Sequence, residues 1–209
     1  MADLASLPDT ARETLQWLAL HESAHAVAAV ILGFTLDRVR VVVCEQRLID
    51  TVVMWPEGAT DSDANAVRPE CGDSGRMQRA TMVALAGREA QRRKYPDYGA
   101  SGFDRHDLEM AMAHLGLPPQ TAAALECVLA PQTEQTRRLL ADEHTWRGVE
   151  GFAAWLIVRA DVRLEPSFVA STDVTGADAV PAIRSIGILP GSWRLSDPET
   201  QTPPQQPKP

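Results

Sequence analysis

Residues 9–33 read DTARETLQWLALHESAHAVAAVILG. Pro8 precedes them, and Asp9 or Thr10 is suited to cap a helix start. Gly33 is suited to end one. The pattern between them predicts a helix reaching about Leu32. From Ala24 to Leu32 that helix is apolar nearly all round, which predicts burial on most of its faces. Inside it, residues 21–25 read His-Glu-Ser-Ala-His. Residues four apart on a helix share one face, so the two imidazoles can converge on one ion. Zinc takes imidazole nitrogen at about 2.0–2.1 Å. Glu22 stands about 100° round the helix from His21, beside such an ion, where a carboxylate can take a proton from attacking water. Two His and one Glu buried without partners would cost several kcal/mol, and a bound metal offsets that cost.

Working outward, RVRVVVC (38–44) alternates and then runs apolar, predicting a strand. Leu48 to Trp55 predicts a second strand, ended by Pro56-Glu57-Gly58. Ala59 to Gly75 is polar and predicts a long loop. Arg76 to Lys94 predicts a second helix that turns Met77, Ala80, Ala84 and Leu85 to the core. Gly87 inside it costs about 1 kcal/mol relative to Ala and so marks close helix packing. Tyr95 to Phe103 reads as a loop and Asp104 to His114 as a third helix. Gln120 to Ala160 reads as helix in two or three pieces, with Pro131 kinking one or opening another. Ser167–Ser171 and Ala182–Leu189 read as short strands. Pro203 to Pro209 reads as a disordered tail. The expected fold class is mainly α with a small β-element. The expected divisions are a domain carrying the His-Glu-Ser-Ala-His helix (1–165), a C-terminal extension (166–200) and a Pro-rich tail (201–209).

Bulk properties narrow the function classes. The chain has 209 residues, enough for a sizeable core, and a net charge of −8 with no basic block, which excludes nucleic acid as an expected partner. The most apolar stretch, Ala24 to Leu36, is too short to span a bilayer. The N-terminus lacks a secretory pattern. Cys44, Cys71 and Cys127 form an odd, widely spaced set without a CxxC, so a disulfide framework is not expected and a reducing, cytoplasmic setting fits.

A catalytic zinc site needs a third protein ligand and an open position. By spacing, the candidates are Asp107, Asp104, Glu89, His106, His114 and His144. Asp107 opens a helix after the Gly-rich GASGFDRHD, Asp104 lies one turn earlier and also suits an N-cap, and Glu89 sits on the second helix. Spacing does not choose among them.

Several segments, taken in order, resemble the peptidase domain of FtsH-type zinc metalloproteases. HESAHAVAAVILG (21–33) resembles that family's HEAGHA helix. RVRVVVC and DTVVMWPEG (50–58) resemble its strand pair, and ATMVALAGREAQ (80–91) its LAGR helix. GASGFDRHDLEMAMA (99–113) resembles its Asp-Leu helix start, and RRLLADEHTWRGVEGFAAWLI (137–157) a late helix. The resemblance spans roughly residues 10–165. It implies an FtsH-peptidase-like helical zincin domain with Zn2+ held by His21, His25 and Asp107, Glu22 as general base, and a polypeptide substrate. It also implies that Thr51–Met54 lies beside the cleft, where a substrate strand can add. Departures are Ser23-Ala24 for the family's Ala-Gly, Gln91 for a Glu, a longer 59–75 loop, and the absence of a Walker A loop. ATP use is therefore expected only through a separate ATPase or unfoldase partner, and an oligomer stays compatible. The alternative expectation is a non-catalytic scaffold or regulatory binding protein that keeps the fold. A third is a regulator that cleaves one specific protein.

Overall fold

The computed structural model describes residues 4–44, 50–54, 74–96, 102–118, 122–164 and 168–193. Helix α1 (Asp9–Ile31) runs through the middle of the structure, and every residue from Leu18 to Ile31 is buried. Its second half is rich in Ala, which lets neighbours approach closely. Helix α2 (Ser74–Lys94), helix α6 (Glu143–Val158) and strands β1 (Arg38–Cys44) and β2 (Asp50–Met54) all pack against it.

The ends of α1 are specified by local chemistry. Pro8 is the N-cap and no side chain caps the helix. Asp9, one of the two residues expected to cap, is instead the first helical residue and pairs with Arg12 one turn on. At the other end Gly33 has φ +85. The Gly33 N–H donates to Val30 O at 3.1 Å and the Phe34 N–H to Ala29 O at 2.8 Å. That pair of bonds satisfies carbonyls which the helix itself leaves open, and it needs a left-handed residue that glycine supplies without strain.

The sheet has the order β2-β1-β4-β3, with β3 at Asp161–Arg163 and β4 at Val169–Thr175, and every pair is antiparallel. β1 is interior and pairs Arg38 with Met54 on one side and with Thr175 on the other. Val39, Val41 and Val43 are buried while Arg38 and Arg40 are not. The period-2 pattern thus turns one face of the sheet to the core. On β4 the Thr172 hydroxyl is buried and donates to Leu156 O on α6 at 2.9 Å.

Three further helices gather on the α2 side of the structure. Helix α3 (Gly102–His114) packs on α2, and helix α4 (Ala122–Val128) packs on α3. Helix α5 (Ala130–Ala141) begins with Pro131 in its first turn, where the missing N–H has no intrahelical partner to lose. Asp142 ends α5 and caps α6 by accepting from the Thr145 N–H at 2.8 Å. The expected helical stretch 120–160 is therefore three helices among the described residues. A small second core of Ala84, Leu85, Leu108, Ala111, Met112, Leu125 and Leu129 joins α2, α3 and α4.

The strand expected at Ala182–Leu189 is not formed. Gly176–Ser185 is helix α7, which buries Ala179, Ala182 and Ile183 at helical spacing. The helix begins at Gly176, whose N–H donates to Asp37 O at 2.6 Å. A Cβ at Gly176 would lie 1.7 Å from Leu36 O, so only glycine fits there. The segment read as an extension, 166–200, thus supplies an interior strand and a helix, and Ala170, Ala179, Ile183 and Ile188 belong to the main core. Its later part returns to α1, with the N–H groups of Gly191 and Trp193 donating to Val30 O and Ile31 O at 3.0 and 3.3 Å. Of the loop expected at 59–75, residues 59–73 lie outside the described residues, as does the tail expected at 203–209, while Ser74 and Gly75 already belong to α2. Cys127 is an exposed free thiol. No described helix is long and apolar enough to cross a membrane.

Candidate metal centre

His21 and His25 project from the same face of α1, one turn apart, with ring centroids 4.7 Å apart in an edge-to-face arrangement. Their Nε2 atoms lie 3.0 Å from each other. Asp107, on α3, brings Oδ1 to 3.6 Å from each of these nitrogens. All three side chains are buried. These three donors form a group of metal-ligating atoms that lie within 4.8 Å of one another. Tetrahedral ligands at about 2.0–2.1 Å from one ion are separated by about 3.3 Å. Separations of 3.0, 3.6 and 3.6 Å bracket that value, so the residues fit a zinc-sized ion. Two imidazoles and one carboxylate are a donor set that such an ion accepts, with one coordination position left over.

Main-chain groups of α2 hold the ligands in place. The Nδ1 of His25 lies 2.7 Å from Val83 O, so this nitrogen is the protonated one and Nε2 presents its lone pair to the centre. The Arg88 N–H donates to Asp107 Oδ2 at 3.0 Å, leaving Oδ1 for the centre. Trp17, one turn before His21 on α1, stacks with the His21 ring at a centroid distance of 6.2 Å and an interplanar angle of 21°.

Charge within the group is strongly coupled. Burial alone would lower the His21 pKa, but the Asp107 carboxylate outweighs it, with Glu22 and Gln91 acting in the same direction, and the value is pushed up to about 9. Burial would raise the Asp107 pKa; the two imidazoles outweigh it and hold the carboxyl well below the usual carboxylate range. Without metal, His21 and Asp107 thus form an imidazolium–carboxylate pair, and a proton competes with a metal ion for the site.

Glu22 is 3 % exposed and its Oε1 lies 3.9 Å from His21 Nε2. It sits beside the three donors without belonging to their group. Four of the other candidate ligands are elsewhere. Buried Glu89 is held by Arg137 at 2.7 Å, with Arg92 at 3.6 Å and Arg88 at 3.8 Å, in a partly exposed ion network that ties α2 to α5. His106 is exposed. His114 lies at the end of α3, where burial lowers its pKa. His144 bonds to Gly187 O at 3.1 Å. Asp104 lies in the first turn of α3, and its side chain is outside the described residues.

Sequence reasoning missed Val83 O, the Arg88 amide and Trp17. Main-chain groups leave no residue-type signature. Trp17, in contrast, shares the four-residue spacing of His21 and His25. No protein-family model matches the chain, and no curated protein matches it.

Proposed function

We propose that the chain is a zinc-dependent metallopeptidase, related in fold to the FtsH-type peptidase domain, that hydrolyses peptide bonds in polypeptides. The observation that carries this reading is the convergence of His21, His25 and Asp107, with Glu22 beside them. The ordered family-like segments and the mainly helical fold with one small antiparallel sheet support it.

In this mechanism His21, His25 and Asp107 hold the ion. A bound zinc ion supplies a Lewis acid, which polarises a carbonyl and lowers the pKa of water to about 7. Glu22 takes a proton from the attacking water on its carboxylate. It then returns that proton to the amine nitrogen as the C–N bond breaks. Burial around Glu22 excludes bulk water and strengthens both transfers. Among the described residues β2 is an outer strand of the sheet, and α1 lies against it, so an extended substrate can pair along its outer main-chain edge. A buried site suits an unfolded polypeptide, which a separate ATPase can deliver.

The test is cleavage of an unstructured fluorogenic polypeptide. Zinc-loaded protein is expected to cut it, a chelator to stop it, and added zinc to restore it. Glu22→Gln is expected to bind zinc normally and cut nothing, and an active Glu22→Gln protein would overturn the mechanism. The near-complete burial of all four residues favours a second reading, a closed structural metal site in a scaffold protein. Under that reading chelation lowers the melting temperature and no polypeptide is cut.

A further inference from the structure

α2 donates no ligand, yet one stretch of it touches every ligand. Val83 O fixes His25, and the Arg88 N–H fixes Asp107. Between them, Gly87 faces the two imidazoles directly. A Cβ on Gly87 would stand 2.4 Å from His25 Nε2, 2.6 Å from His21 Cε1 and 2.7 Å from His21 Nδ1. Non-bonded heavy atoms settle at about 3.5 Å or more, so a methyl group there demands a shift of about 1 Å. His25 Nε2 is itself a donor atom of the proposed centre. Neither ring has an easy retreat, because His25 is bonded to Val83 O and His21 is stacked on Trp17.

We propose that Gly87 is a positioning residue of the metal centre: the space left by its missing side chain is where the His21 and His25 imidazoles sit to meet Asp107. This rests on the reading of His21, His25 and Asp107 as metal ligands. Metal–donor distances tolerate about 0.2 Å, far less than the displacement a methyl group imposes. An ordinary mid-helix glycine is stabilised by replacement with alanine. At Gly87 the sign reverses, and the imidazoles are the reason. Removing them should therefore restore the ordinary sign.

The experiment compares wild type, Gly87→Ala, His21→Ala/His25→Ala and the triple variant of the full chain. Zinc affinity is read by competition with a chromophoric chelator, and ligand geometry from the visible absorption of the Co2+-loaded protein. Metal-free melting is followed by circular dichroism. Gly87→Ala is expected to weaken zinc at least tenfold and to alter the cobalt spectrum. It is expected to lower the metal-free melting temperature in the wild-type background and to raise it in the His21→Ala/His25→Ala background. If Gly87→Ala alone does not fold, a triple variant that melts above the double variant carries the same conclusion. Unchanged zinc affinity and cobalt spectrum, or equal destabilisation in both backgrounds, would overturn the role of Gly87 while leaving the metal site standing. If wild type binds neither zinc nor cobalt, the metal reading itself fails and this proposal with it.

Discussion

Asp107→Asn tests the metal centre at its least obvious member. The substitution keeps the shape of the side chain, and the structure dictates how the amide must turn. The Arg88 N–H points at Oδ2 from 3.0 Å and needs an acceptor there. The asparagine oxygen takes that place, and the NH2 group then faces the Nε2 atoms of His21 and His25. An NH2 group has no lone pair to offer a cation. The site is left with two protein ligands and a misplaced donor. Changing partners outside the ligand sphere costs about 10–100-fold in metal affinity, so loss of a ligand costs at least the upper end. At a free zinc concentration 1,000 times the wild-type dissociation constant, binding stabilises the native protein by about 4 kcal/mol. A hundredfold weaker site retains about 1.4 kcal/mol. For a chain of this size 1 kcal/mol is about 2–4 °C, so the zinc-induced rise in Tm should shrink from about 8–16 °C to about 3–6 °C. Differential scanning fluorimetry with and without zinc, at fixed free metal, measures this. A full-sized rise in Asp107→Asn would refute the assignment of Asp107 and the orientation argument together.

Other sites give further expected outcomes. Gly176→Ala places a methyl group on the Leu36 carbonyl and should destabilise by more than the usual overpacking cost of about 1–3 kcal/mol, seen as a reduced midpoint in urea. Asp142→Ala removes the α6 cap and should cost about 1 kcal/mol at pH 7. The Thr145 N–H holds the Asp142 carboxyl below its ordinary value near 3.8, so the cost should be present above that pH and vanish on further acidification. Burial lowers the His114 pKa from 6.5, so the unfolded chain takes up this proton first and stability falls as pH drops below 6.5. His114→Gln should flatten that part of the stability–pH curve, and an unchanged slope in urea titrations would rule His114 out as its source.

The parts of the fold that were legible in the sequence are those whose signal is local. α1 announces itself through an unbroken apolar run closed by Gly33, and β1 through the alternation of Val39, Val41 and Val43. α7 was misread because Ala182 to Leu189 is a short apolar run, and such runs do not separate helix from strand. Pro181, inside that helix, also argues against one in sequence. What turns the segment helical is tertiary: Gly176 butts against Leu36 and the Ala179–Ala182–Ile183 face meets the core. The site divides in the same way. His21, Glu22 and His25 are one helical turn and can be read directly. Asp107 reaches them only by the packing of α3 on α2, which no spacing rule expresses, and family resemblance alone selected it. Gly87 was legible as a close contact but not as a contact with the imidazoles.

The bonds from Gly191 and Trp193 to the last carbonyls of α1 bear on how firmly the helix that carries His21 and His25 is held. Helices normally fray from their ends, and here the fraying end is stitched to a segment from the far part of the chain. Amide hydrogens around His21 and His25 should therefore exchange with solvent only through cooperative opening of the whole core. The imidazoles of His21 and His25 thus stand on backbone that does not open by fraying from the helix end.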